Sequence, residues 1–138
     1  IIHLCGKGNL DETLQSRTDY KQFEYVSDGL NDLFAAADFV VSRAGSNSIS
    51  EFLALKKPSL LIPLSARASR GDQILNADSF EKQGFARVLD EDEMTAETMK
   101  KEIFALYENK DKYVAAMEKS LAGDGVAAVM TQIKALMH

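Results

Sequence analysis

A chain of 138 residues is long enough for one domain that buries roughly two-thirds of its unfolded surface. With 46% hydrophobic and 27% charged residues its composition is globular and not disordered. Its 16 basic and 21 acidic residues leave a net charge of −5, which disfavours a general nucleic-acid footprint or a polybasic membrane surface but leaves room for a local basic pocket. One cysteine, Cys5, excludes an internal disulfide and a cysteine-cluster zinc site, and two histidines at opposite ends, His3 and His138, disfavour a histidine metal centre. No run of 18 apolar residues marks a membrane span, and no stretch reads as a signal peptide.

The chain opens on Ile1-Ile2-His3-Leu4-Cys5, without a methionine, in what reads as a buried strand with His3 and Cys5 in the core. A piece of a longer protein is therefore expected. Gly6-Lys7-Gly8 and a short helix candidate over residues 10–14 follow, then a second strand over residues 23–26. Asp28 is placed to cap a helix whose Leu30, Leu33, Phe34 and Ala37 form one apolar stripe. Phe39-Val40-Val41 reads as a third strand, leading through Ser42-Arg43-Ala44-Gly45 into a helix from about Ser48 that buries Ile49, Phe52 and Leu53. Leu60-Leu61-Ile62, between Pro58 and Pro63, is a fourth strand. A polar loop over residues 65–71 leads to a helix over residues 72–83, stopped by Gly84, and residues 85–89 are the last strand.

Strands that are apolar throughout suit a parallel sheet covered on both faces. Their alternation with helices predicts a doubly wound, Rossmann-like α/β core over residues 1–90. Residues 91–138 read as a helical tail. Thr95 caps a helix with Met99, Ile103, Leu106 and Tyr107 buried; a second helix holds Val114, Met117 and Leu121; Gly123-Asp124-Gly125 breaks the pattern; a third helix aligns Val126, Val129, Met130 and Ile133. The tail is expected to pack on the sheet or to reach across to a missing partner domain.

In open α/β sheets, ligands collect beyond the carboxyl ends of the strands. Three loops there have unusual polar content. In Ser42-Arg43-Ala44-Gly45-Ser46-Asn47-Ser48-Ile49-Ser50-Glu51, a strand runs through a glycine and small hydroxyl residues into a helix, whose free N–H groups and dipole attract a phosphate or diphosphate. The competing reading is a capping box, Ser48 capped in return by Glu51, and local spacing by itself favours it. In Arg70-Gly71-Asp72-Gln73-Ile74-Leu75-Asn76-Ala77, Gln73 and Asn76 share a helix face and suit a sugar, which needs both donors and acceptors; alternatively Asp72 caps the helix and both amides face solvent. Tyr25-Val26-Ser27-Asp28 is a strand end whose backbone suits a flat base. Arg43 suits a phosphate or a structural ion pair. No Ser/His/Asp set, paired metal carboxylates or Asp-x-Asp motif can be assembled.

Together, Ala36-Ala37-Asp38-Phe39-Val40-Val41-Ser42-Arg43-Ala44-Gly45-Ser46-Asn47-Ser48-Ile49-Ser50-Glu51, Lys57-Pro58-Ser59-Leu60-Leu61-Ile62-Pro63-Leu64 and Gly71-Asp72-Gln73-Ile74-Leu75-Asn76-Ala77 resemble the C-terminal half of the MurG family. His3-Leu4-Cys5-Gly6-Lys7-Gly8-Asn9-Leu10 resembles its second C-terminal strand and the loop after it, so the resemblance covers roughly residues 1–108. These are the N-acetylglucosaminyltransferases of peptidoglycan synthesis, glycosyltransferase family 28, with the two-domain GT-B architecture. The resemblance implies that this chain is half of such an enzyme. Its donor would be UDP-N-acetylglucosamine and its acceptor a lipid-linked muramyl-pentapeptide, bound at the cytoplasmic face of the bacterial membrane by an N-terminal domain absent here. It implies no cofactor and no metal, and a soluble piece inactive by itself. Carried over, Glu51 would accept hydrogen bonds from the ribose hydroxyls, and Ser46, Asn47 and Ser48 would hold the diphosphate. The Val26 backbone would meet the uracil, and Gln73 and Asn76 would bind the sugar ring. No catalytic residue is assigned, since the resemblance implies that the base is expected in the absent N-terminal domain.

Two features depart from the family. Its Gly-Gly-Ser loop would lie before Ile1 with the first βα unit, and the histidine common before the glutamine of the last motif is Asp72. The alternatives are the donor domain of a diacylglycerol or galactolipid glycosyltransferase, or a non-catalytic donor-binding subunit that needs a membrane partner. A response-regulator-like interaction module would show an acidic pocket and a late lysine, and neither is evident.

Overall fold

A computed structural model describes residues 1–120 and 125–136, with side chains described for residues 1–120 and 130–135. Leu121, Gly123, Asp124, His138 and the side chains of Val126 and Val129 lie outside the described residues. The chain divides into two compact units, Ile1–Ala36 and Ala37–His138.

In the first unit, β1 (Ile2–Leu4) and β2 (Lys21–Phe23) pair in parallel, with His3 opposite Gln22. The second strand thus ends where sequence placed its start. The turn chemistry between the strands explains the shift. Asp11 accepts from Thr13 N and Thr13 Oγ1 (2.9 and 2.6 Å), limiting the expected helix to one 3-10 turn, Glu12–Leu14. The Gln22 side chain then bonds both backbone groups of Asp11 (3.1 and 2.9 Å), fixing β2 beside that turn. Arg17 grips Asp19 with two hydrogen bonds, 2.9 and 2.7 Å, holding the Asp19 carboxyl down at about 2. The buried first strand is overturned. Ile2, Leu4 and Phe23 are each more than two-fifths exposed, and His3 is exposed with Nδ1 2.6 Å from Tyr20 Oη. Cys5 is only half-buried. Two three-residue strands offer too little area to cover their own apolar side chains. The helix α1 (Leu30–Ala36) follows, its first backbone bond running from Leu33 N to Gly29 O, one residue after the expected cap Asp28.

The second unit holds a three-stranded parallel sheet, β3 (Val40–Ser42), β4 (Ser59–Leu61) and β5 (Ala86–Val88), with β4 in the middle. Val41, Leu60 and Arg87 lie in register across it. Only β4 is buried throughout, because neighbours flank it on both sides. The α/β class with parallel strands is as the sequence predicts. The connections are α2 (Ser46–Ala54) and α3 (Asp72–Lys82), after which come α4 (Ala96–Glu108), α5 (Lys110–Lys119) and α6 (Gly125–Leu136).

The tail helices complete the core. Leu106, Tyr113 and Met117 cluster with Leu53, Leu60, Ile62, Phe85 and Leu89, and Phe80 meets the Phe85 ring edge-on at 5.5 Å. Thr95 caps α4 as expected, exchanging hydrogen bonds with Thr98 (3.1 and 2.8 Å). Tyr107, expected inside, is 47% exposed, packing edge-on against Phe39 with Lys110 Nζ 4.6 Å above its ring. Tyr113 takes the buried aromatic place instead. Met130 and Ile133 of α6 are also nearly half exposed.

Two helix starts differ from expectation, and both matter for the site. The N-cap of α3 is Gly71, at φ +86°, and not Asp72. A side chain there would strain the backbone by about 1 kcal/mol or more. The N-cap of α2 is Gly45 in extended conformation, so Ser48 lies inside the first turn and no capping box with Glu51 exists.

Candidate functional site

Because β3 and β4 are parallel neighbours, the loops leaving their carboxyl ends open at one edge of the sheet and lead into α2 and α3. Ile62 N donates to Ser42 O (2.9 Å) where they part. The start of α2 is bare. No side chain caps it, and its first backbone bond is Ile49 N to Gly45 O, 3.1 Å. The N–H groups of Ser46, Asn47 and Ser48 therefore have no acceptor among the described residues. Ordinarily a Ser, Asp or Asn cap would satisfy one of them. Gly45 keeps the approach clear, since a Cβ built there meets nothing within 4 Å. Ser46 and Asn47 are exposed and Ser48 half-buried. Ser50 Oγ donates back to Ser46 O (2.8 Å).

Glu51 lies on the same helix, one turn after Asn47 and half-exposed. Its carboxylate has no hydrogen bond or ion pair among the described residues.

Gln73 and Asn76 are half-buried at the start of α3, and each is half engaged. Gln73 Oε1 accepts from Leu64 N (3.1 Å), and Asn76 Nδ2 donates to Ala44 O (3.0 Å). They do not simply face solvent; they lace α3 to the two strand-end loops. Gln73 Nε2 and Asn76 Oδ1 have no partner among the described residues, so one donor and one acceptor remain on that face. Val26 belongs to the other unit, half-buried and three residues beyond β2, so it is not the strand end expected.

Arg43 makes the structural ion pair. Its guanidinium donates to Ile62 O (3.2 Å) and to Glu91 Oε1 (2.7 Å), while Glu91 Oε2 accepts from Ser65 N (3.2 Å). The strut joins the ends of β3 and β4 to the turn after β5. Glu91 was not foreseen; it lies 48 residues from Arg43, beyond the reach of local spacing. The hydrogen bond from Arg43 and then that from the Ser65 amide hold its carboxyl below the ordinary carboxylate range. A depressed folded-state value means stability present above the unfolded-state pKa and lost as pH falls through the folded one. Urea unfolding of wild type and Glu91→Gln should thus differ at neutral pH and converge on acidification. A gap that persisted or widened in acid would rule the strut out as its cause.

Sequence reasoning gave no role to Arg67 or to Arg70, in the loop between β4 and α3. The signal available was two arginines three apart in an otherwise acidic chain. Among the described residues no three His, Cys, Asp or Glu side chains converge as a metal site requires, and no helix is long and apolar enough to cross a membrane.

Residues 1–133 match the family model described as the glycosyltransferase family 28 C-terminal domain. The chain belongs to that family. It is 58% identical over 134 residues, 97% of its length, to the UDP-N-acetylglucosamine–N-acetylmuramyl-(pentapeptide) pyrophosphoryl-undecaprenol N-acetylglucosamine transferase of Geobacillus thermodenitrificans. It is 53% identical, over its whole length, to the protein of that name in Clostridium perfringens. The chain spans 38% and 39% of those two relatives. Among solved structures, it superposes on MurG of Acinetobacter baumannii with a TM-score of 0.71 at 20% identity, covering 96% of this chain and 40% of that one. A glycosyltransferase of kitacinnamycin gives a TM-score of 0.73 at 19% identity, covering 96% and 34%. At those identities the structures speak for the fold alone.

Proposed function

We propose that this family 28 domain is the donor-binding half of an inverting glycosyltransferase. It would present UDP-N-acetylglucosamine to a lipid-linked muramyl-pentapeptide acceptor carried by a second, N-terminal domain. The observation that carries the reading is the uncapped start of α2, with three N–H groups that have no acceptor among the described residues, behind an unobstructed glycine. A diphosphate is the ligand whose charge and acceptor number suit that end of a helix. The identity of 53–58% with transferases named for this substrate pair supports it over a glycerolipid acceptor.

In this reading the diphosphate lies on Ser46, Asn47 and Ser48. Glu51 accepts from the ribose diol, and Gln73 Nε2 with Asn76 Oδ1 take hydroxyls of the sugar. An acceptor hydroxyl attacks the anomeric carbon from the face opposite the diphosphate. As its oxygen bonds to that carbon, the bond to UDP breaks and the electron pair passes to the diphosphate. The proton leaves to a base on the other domain. The α2 amides are preorganised where this negative charge develops, so they contribute more in the transition state than in the ground state. No cofactor enters the scheme, and the whole enzyme would work at the cytoplasmic face of the membrane.

Calorimetry on the two-domain enzyme tests the reading. UDP and UDP-N-acetylglucosamine should bind at least about tenfold more tightly than GDP, equivalent to roughly 1.4 kcal/mol. Equal affinity for GDP would remove the uridine-donor assignment.

A further inference from the structure

We propose that Arg67 and Arg70 form a second anion-binding element, which takes the diphosphate of the lipid-linked acceptor and leaves that of the nucleotide donor to α2. The inference rests on the donor-half reading above.

The chain has five arginines, and their partners divide them cleanly. Arg17 is paired with Asp19, Arg43 with Glu91 and Arg87 with Glu102. Arg67 and Arg70 are exposed, and neither has an ion pair or hydrogen bond among the described residues. In a chain with 21 acidic residues, the two arginines that have no carboxylate partner among the described residues lie three apart in one loop. That loop leaves the carboxyl end of β4, on the edge where the bare end of α2 opens.

The loop is held in shape rather than left loose. Ala68 N and Ser69 N both donate to Ser65 O (3.0 and 3.1 Å), and Gly71 N donates to Ser69 Oγ (3.2 Å). Glu91 anchors its start through Ser65 N. The same Glu91 also neutralises Arg43, the arginine nearest α2 in sequence. The donor diphosphate has its donors in the α2 amides, so free guanidinium groups on this edge answer a further anion.

The proposed reaction brings one. The acceptor is linked to its lipid through a diphosphate, and two diphosphates on one sheet edge repel each other. That repulsion grows as the leaving UDP gains charge. Guanidinium groups relieve it, and their planar fork matches phosphate oxygens two at a time. The elements then divide the work, amides for the leaving group and arginines for the acceptor.

The test is steady-state kinetics of the two-domain enzyme with a short-prenyl, water-soluble acceptor, comparing wild type with Arg67→Ala/Arg70→Ala and Arg67→Lys/Arg70→Lys. Loss of two charge-assisted contacts should raise the acceptor KM about tenfold or more. The donor KM should stay within about twofold, the lysine pair should recover part of the loss, and the salt dependence of the acceptor KM should flatten. A rise in donor KM with unchanged acceptor KM would overturn the proposal by assigning the arginines to the donor. So would unchanged values for both, or a loss only of binding to phosphatidylglycerol vesicles, which would make the loop a lipid-surface contact. Wild-type enzyme that transfers no sugar would overturn the donor-half reading itself, which separates the two failures.

Discussion

Glu51→Gln in the two-domain enzyme is expected to raise the KM for the UDP-sugar about ten- to a hundredfold while moving the melting temperature by less than about 2 °C. The asymmetry follows from the surroundings of the side chain. Its carboxylate has no partner among the described residues, so removing the charge takes nothing from the folded protein. Toward a ligand the same carboxylate is an acceptor-only group with two oxygens, suited to two adjacent hydroxyls. Glutamine keeps the shape but turns one acceptor into a donor, leaving one hydroxyl facing the wrong partner. A donor lacking the ribose 2′-hydroxyl gives the control. It should bind wild type more weakly, and Glu51→Gln should lose little beyond that, because both changes remove the same contact. If the substitution instead lowered the melting temperature and left KM alone, Glu51 would be a structural residue and the ribose assignment would fall.

Leu106→Ala is expected to have the largest effect on stability, about 2–5 kcal/mol, seen as a lower urea midpoint. Leu106 is fully buried, on the helix that packs on β4, and shares a cluster with Leu60 and Phe85 of the sheet region. Truncating it leaves a cavity between layers that rigid strands cannot close. Phe104, two residues earlier and 55% exposed, is the comparison, and its alanine variant should cost less than about 1 kcal/mol. Equal losses at the two positions would mean that the tail is an appendage. The expected contrast makes it part of the domain: of the two fates foreseen for the tail, packing on the sheet describes α4 and α5.

Much of this was legible in the residues. Leu60 and Leu61 lie in an unbroken apolar run between two prolines, and that run is the buried central strand. Thr95 caps α4, and Leu106 and Met117 point inward as their spacing demands. The misses share a cause. Ile2 and Leu4 read as core because an apolar run implies a cover, and the described part of their unit supplies none. Periodicity puts Tyr107 inside, but the neighbours of the two helices bury Tyr113 and leave Tyr107 half exposed. The capping box failed because Gly45 ended the extended segment three residues early, which leaves Ser48 inside the helix and the first amides open.

What the sequence determined alone is the parallel α/β pattern and the identity of the groups at its carboxyl edge: the glycine and hydroxyl run, Glu51, and Gln73 with Asn76. Those follow from short-range spacing, and short-range spacing is what a linear pattern holds. The tertiary structure alone decided which of them remain available. It set one half of each amide against backbone at Leu64 and Ala44 and left the other half without a partner among the described residues. It also closed Arg43 onto Glu91 across 48 residues and left Arg67 and Arg70 without a carboxylate among the described residues. Hydrogen bonds and ion pairs depend on distances of about 3 Å between atoms far apart along the chain, and folding alone sets those distances.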